Sequence, residues 1–91
     1  MRGERASYDI IYLDADKQRD GVFALTALAW PLLRVNGILI WDDLRWGGGK
    51  ADAERPESAI RLFCSAFSRS LSVLHDDRQM IIRKTSDWPA T

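Results

Sequence analysis

An excess of charge of either sign is what this sequence most plainly lacks. Thirteen Lys and Arg residues balance thirteen Asp and Glu over 91 residues, and the formal net charge is zero. There is no broad basic field to hold a nucleic acid backbone or an anionic membrane, so neither partner is expected. Cysteine is nearly absent. The single Cys64 cannot form an internal disulfide, and a reducing cytoplasm is the expected location. Long hydrophobic runs are missing too. The longest, Val22 to Leu33, is too short to span a bilayer and contains Pro31. Met1-Arg2-Gly3-Glu4-Arg5 is not followed by the apolar core of a signal peptide. No internal repeat is present. What remains is ordinary for a soluble globular chain, 46% hydrophobic and 29% charged. The length allows one domain with a small core.

The apolar residues arrange as strand, helix, strand, helix, strand, strand. Tyr8-Asp9-Ile10-Ile11-Tyr12-Leu13 is rich in β-formers and shows little polar alternation, which predicts a strand buried on both faces. It stops at Asp14-Ala15-Asp16. Asp20-Gly21 reads as a break, after which Val22, Leu25, Leu28 or Ala29, and Leu32 recur at helical spacing. Pro31 should end that helix near Trp30, and Asn36-Gly37 reads as its C-terminal stop. Ile38-Leu39-Ile40-Trp41 is a second buried strand, followed by Asp42-Asp43. The glycine-rich stretch from Arg45 to Arg55 reads as a mobile loop. Pro56 suits the first turn of a helix whose apolar face carries Ile60, Phe63, Cys64 and Phe67. Leu71 to Leu74 and Met80 to Ile82 flank Asp76-Asp77-Arg78 and predict an antiparallel hairpin. Residues 1–84 make one unit, and 85–91 read as a loose tail.

Strands alternating with helices predict an α/β fold with a parallel sheet and right-handed crossovers. In such sheets ligands bind beyond the carboxyl ends of the strands. Both buried strands end there in carboxylates. If they are neighbours, about 4.8 Å apart, Asp14 or Asp16 converges with Asp42 and Asp43. Clustered carboxylates repel one another unless a cation or hydrogen-bond donors compensate. A hard divalent cation such as Mg²⁺ is one solution, and the amine or hydroxyl of a bound ligand is another. Lys17 can neutralise the cluster, or act as a general base if its pKa is lowered. The bland alternative is that these aspartates cap the turns that follow the strands. Trp41 and Trp46 bracket the acidic pair, either as an aromatic wall for a planar ligand or as packing. His75 reads as a half-buried structural residue.

Two stretches, Tyr8 to Lys17 and Trp30-Pro31-Leu32-Leu33-Arg34-Val35-Asn36-Gly37-Ile38-Leu39-Ile40-Trp41-Asp42-Asp43, resemble the second half of class I S-adenosylmethionine-dependent methyltransferases. Leu71 to His75 and Gln79 to Lys84 look like that fold's terminal hairpin. The resemblance implies a partial Rossmann-like methyltransferase sheet: two parallel strands with crossover helices, then an antiparallel hairpin whose last strand inserts between its two predecessors. It implies that Leu13, Asp14, Ala15 and Asp16 lie at the methionine end of S-adenosylmethionine. In the cation-dependent, catechol-type O-methyltransferases of this family, an aspartate here and an Asp-Asn pair after the next strand hold the metal. A lysine three residues beyond the first aspartate assists deprotonation of the acceptor. By resemblance, Asp14, Asp42 and Asp43 are the metal set and Lys17 the catalytic residue. Asp43 stands where asparagine is usual and adds a charge.

The family's glycine-rich donor turn, and the acidic residue that binds the donor ribose, cannot be placed in this sequence. Gly47-Gly48-Gly49-Lys50 follows the wrong strand and lacks phosphate-loop spacing. The expectation is therefore a methyltransferase fragment that acts on a small-molecule oxygen acceptor when an N-terminal half completes it. The strand from Tyr8 to Leu13 would then have an open edge. The competing expectation is a non-catalytic α/β module that dimerises or pairs through that edge.

Overall fold

The computed structural model describes residues 8–14 and 17–87. They form β1 (Tyr8–Leu13), α1 (Arg19–Ala29), β2 (Leu33–Trp41), α2 (Glu57–Ala66), β3 (Leu71–Asp76) and β4 (Met80–Lys84). The four strands make one sheet in the order β1-β2-β4-β3. β1 and β2 are parallel, and β4 runs antiparallel to both β2 and β3. The last strand thus enters between its two predecessors, and the α/β, partial Rossmann-like sheet is observed. None of the helices among the described residues is long and apolar enough to cross a membrane.

Both crossover helices lie on the same face of the sheet. β1-α1-β2 and β2-α2-β3 move across the sheet in the same direction, and right-handed crossovers then place both helices on one side. There α1 and α2 touch each other and close the core. Leu33, Leu39 and Trp41 from β2 and Met80 and Ile82 from β4 pack against Val22, Ala59, Ile60 and Phe63. Trp30 meets Phe63 and Phe67 edge-on, with centroids 5.2 and 5.3 Å apart. The Trp41 indole N–H donates to Thr26 Oγ1 at 2.9 Å, which satisfies a polar atom inside the core.

Lys84 closes the end of the core farthest from the acidic strand tips. Its side chain is 1% exposed. Nζ donates to the carbonyls of Trp30 and Leu33 at 3.0 and 2.8 Å and lies 4.7 Å from the Trp30 ring centroid. Trp30 lies just past α1 and Leu33 begins β2, and the buried ammonium donates to both carbonyls. Asp87 balances the charge from 3.4 Å. Thr85 and Ser86, the start of the expected tail, are tied to Ser70 by hydrogen bonds of 2.8 Å each.

Four local expectations change. β1 is not buried on both faces: Tyr8, Ile10 and Tyr12 are 53%, 62% and 51% exposed, because no helix covers their side of the sheet. Asn36-Gly37 does not end a helix. α1 stops at Ala29, a single 3-10 turn spans Trp30 to Leu32, and Asn36-Gly37 form an irregularity inside β2. Asn36 has φ 75°, and a Cβ on Gly37 would lie 3.0 Å from the Asp9 carbonyl oxygen, so β1 approaches where only glycine fits. The Asp20-Gly21 break lies within the first turn of α1. His75 is exposed on β3.

Candidate functional site

The carboxyl ends of β1 and β2 lie side by side, Leu13 opposite Trp41, and the Asp42 N–H donates to the Leu13 carbonyl at 3.3 Å. Parallel pairing therefore delivers Asp14, Asp42 and Asp43 to one place. One oxygen from each of these carboxylates lies within 4.8 Å of the others. Lys17 Nζ reaches into the cluster, 3.0 Å from Asp14 Oδ1 and 2.8 Å from Asp43 Oδ2. The hydrogen bonds that Lys17 donates to Asp43 and then Asp14 raise its pKa, so Lys17 is held as an ammonium. That is the opposite of the lowered pKa a general base needs, and Lys17 fits the neutralising role. Ala15 and Asp16, expected beside the donor, lie outside the described residues. Leu13 lines a small cavity of about 20 Å³ beneath Asp14 and Lys17, with Val22, Trp41 and Ile60.

Strand alternation separates the two adjacent aspartates. Ile38, Ile40 and Asp42 follow one face of β2, while Leu39 and Trp41 point into the core. On the face of Asp42, Tyr12 of β1 lies on one side and Gln79, just before β4, on the other. Gln79 Nε2 donates to Asp42 Oδ1 at 2.8 Å. Hydrogen bonds from Gln79 and then Tyr12 lower the Asp42 pKa, and the same bond to Asp42 raises that of Tyr12. Neither Gln79 nor Tyr12 stands out in the sequence. The place of Gln79 follows from the pairing of β4 with β2, that of Tyr12 from the pairing of β1 with β2, and both from the alternation of side chains along the strands.

A groove of about 650 Å³ opens from Asp42 and Asp43 and is lined by Arg45, Trp46, His75 and Gln79 among others. Its volume suits a small molecule. The two bracketing tryptophans part company: Trp41 is core, whereas Trp46 is 39% exposed and lines the groove. The glycine-rich stretch beside it folds through successive turns, including Lys50 N–H to the Gly47 carbonyl at 2.8 Å. Lys50 Nζ lies 5.6 Å from the Trp46 ring centroid. Cys64 packs against the core, and burial pushes its thiol up to about 11, which excludes a thiolate nucleophile at neutral pH.

The donor set of the cluster is oxygen only, the chemistry a hard divalent cation such as Mg²⁺ prefers over softer metals. Asp14, Asp42 and Asp43 therefore fit such an ion, with Lys17 offsetting part of their charge.

Comparison with known proteins places these features in a family context. No family model matches the chain. The protein "Probable caffeoyl-CoA O-methyltransferase 3" of Dictyostelium discoideum is 35% identical over 75 residues, covering 79% of this chain and 29% of the relative. This chain thus spans less than a third of that relative's length. A crystal structure of a protein from Corynebacterium glutamicum superposes with a TM-score of 0.64 at 19% identity, covering 94% of this chain and 43% of that one. The second comparison shows a shared fold. The first carries the methyltransferase likeness read from the sequence. Together they make the chain similar to part of a class I O-methyltransferase.

Proposed function

We propose that this chain is the catalytic-tip half of an S-adenosylmethionine-dependent O-methyltransferase, active on a small-molecule hydroxyl when a further N-terminal portion supplies the rest of the donor site. The observation that carries this reading is the convergence of Asp14, Lys17, Asp42 and Asp43 at the carboxyl ends of adjacent parallel strands. Leu13 and Asp14 stand toward the donor's methionine end, joined in the proposal by Ala15 and Asp16. A Mg²⁺ held by Asp14, Asp42 and Asp43 would supply Lewis acidity to the acceptor hydroxyl. The acceptor hydroxyl gives its proton to solvent, and Lys17, held as an ammonium, stabilises the oxyanion that remains as it attacks the methyl carbon and the sulfonium leaves as a thioether. The 650 Å³ groove receives the acceptor, with Trp46 on its wall. A cytoplasmic location suits the single free Cys64.

The test is a chimera in which this chain replaces the matched 75-residue stretch of the Dictyostelium relative. Transfer of labelled methyl to caffeoyl-CoA is expected, and Asp42→Ala should abolish its dependence on divalent metal. A folded chimera with no transfer, or an Asp42→Ala chimera with unchanged metal dependence, would overturn the reading. The 91-residue chain alone should bind S-adenosylmethionine negligibly by calorimetry.

A second reading is favoured by one observation. The outer edge of β1 has no partner strand among the described residues, and its side chains are exposed and apolar. On that reading the chain is a pairing module without catalysis. Sedimentation showing concentration-dependent association that persists in Asp14→Asn would support it.

A further inference from the structure

We infer that Gln79 is a positioning residue that fixes the Asp42 carboxylate within the cluster. This rests on the reading of Asp14, Asp42 and Asp43 as the site. Three carboxylates gathered within 4.8 Å repel one another, and an unrestrained aspartate relieves the repulsion by turning away. Asp14 and Asp43 are held by the ammonium of Lys17, at 3.0 and 2.8 Å. Among the described residues no such ion pair holds Asp42. Its restraint is a neutral donor at the turn before β4, Gln79 Nε2 at 2.8 Å. Neutral donors orient a carboxylate without cancelling its charge, so Asp42 keeps its full attraction for a cation.

Gln79 is itself anchored. It sits at the turn between β3 and β4, where the Asp77 N–H donates to the Gln79 carbonyl at 3.0 Å. The Leu44 N–H donates to the Arg78 carbonyl at 3.0 Å, and Arg45 Nε to the Asp77 carbonyl at 3.2 Å. These bonds sew the hairpin turn to the segment just after Asp43. Below the turn, Arg61 of α2 grips Asp76 with two hydrogen bonds of 3.0 and 3.1 Å. A continuous path of bonded groups therefore runs from α2 through the hairpin to Asp42.

The experiment uses the 91-residue chain and Mn²⁺ alone, with binding read by electron paramagnetic resonance. A second readout is the side-chain amide resonance of Gln79. Gln79→Met should weaken Mn²⁺ binding by about tenfold with an unchanged melting midpoint. Asp42→Ala should shift the Gln79 amide resonance toward that of a free glutamine. Wild-type Mn²⁺ affinity in Gln79→Met, where Asp42→Ala abolishes binding, would overturn the inference. So would an unmoved Gln79 resonance in Asp42→Ala. A wild-type chain that ignores Mn²⁺ would count against the metal in the proposed function, and the amide resonance would then decide the positioning role.

Discussion

The two faces of this sheet are built from similar side chains and meet different fates. One face carries Leu39, Trp41, Met80 and Ile82, all at most 2% exposed beneath α1 and α2. The other carries Ile10 and Tyr12, more than half exposed, with Ile38, Ile40 and Ile81 only half-buried. Hydrophobicity marks both faces as fit for burial, and the handedness of the crossovers decides which one this chain can cover. Among the described residues this apolar face is uncovered and available for contact. The acidic tips lie where the faces meet. Asp43 is tied to Lys17, whereas Asp42 is held on the bare face by Gln79.

Substitutions should expose the asymmetry. The largest effect is expected from Phe63→Ala, which opens a cavity among Trp30, Trp41 and Phe67. It should cost about 3–5 kcal/mol in urea unfolding, whereas Ile10→Ala on the bare face should cost about 0.5 kcal/mol or less. Equal losses would mean that the bare face is covered in solution. Lys84→Met should cost about 3 kcal/mol, because the Trp30 and Leu33 carbonyls lose their buried donor. An unchanged urea midpoint would refute that role. Thr26→Val leaves the Trp41 indole N–H without its acceptor and should cost about 1–2 kcal/mol, read from the same unfolding curves.

The smallest expected effect is a pH dependence. Hydrogen bonds from Arg61 lower the Asp76 pKa, so the pair's stabilisation is present above the ordinary carboxylate range. It is lost as the pH falls through the lowered folded value. Asp76→Asn should therefore flatten the acid limb of stability against pH, and a limb of unchanged slope would show that the pair contributes nothing measurable.

Much of this was legible in the residues. Tyr8 to Leu13 and Ile38 to Trp41 announce strands because β-branched and aromatic residues crowd into short runs. Pro31 announces the end of α1 because it lacks an N–H and its ring clashes with the preceding turn. Asp14, Asp42 and Asp43 announce a candidate site because strand ends in α/β sheets point at ligands. Asn36-Gly37 misled: the pair that commonly ends a helix here accommodates a close approach by β1, and nothing local distinguishes the two uses. β1 misled because an apolar run looks the same whether or not a second layer covers it. Gln79 was silent because its contact with Asp42 depends on β4 pairing with β2 rather than extending the edge.

Local chemistry alone thus determined the order of strands and helices, the apolar stripes and the acidic strand ends, since each depends on neighbours within a few positions. Only the tertiary structure decided which face is covered, that Lys17 serves as the cluster's ammonium, and that Gln79 meets Asp42 across 37 positions. Those outcomes depend on contacts between distant segments, which chain reversal and strand register create and which no short stretch of residues encodes.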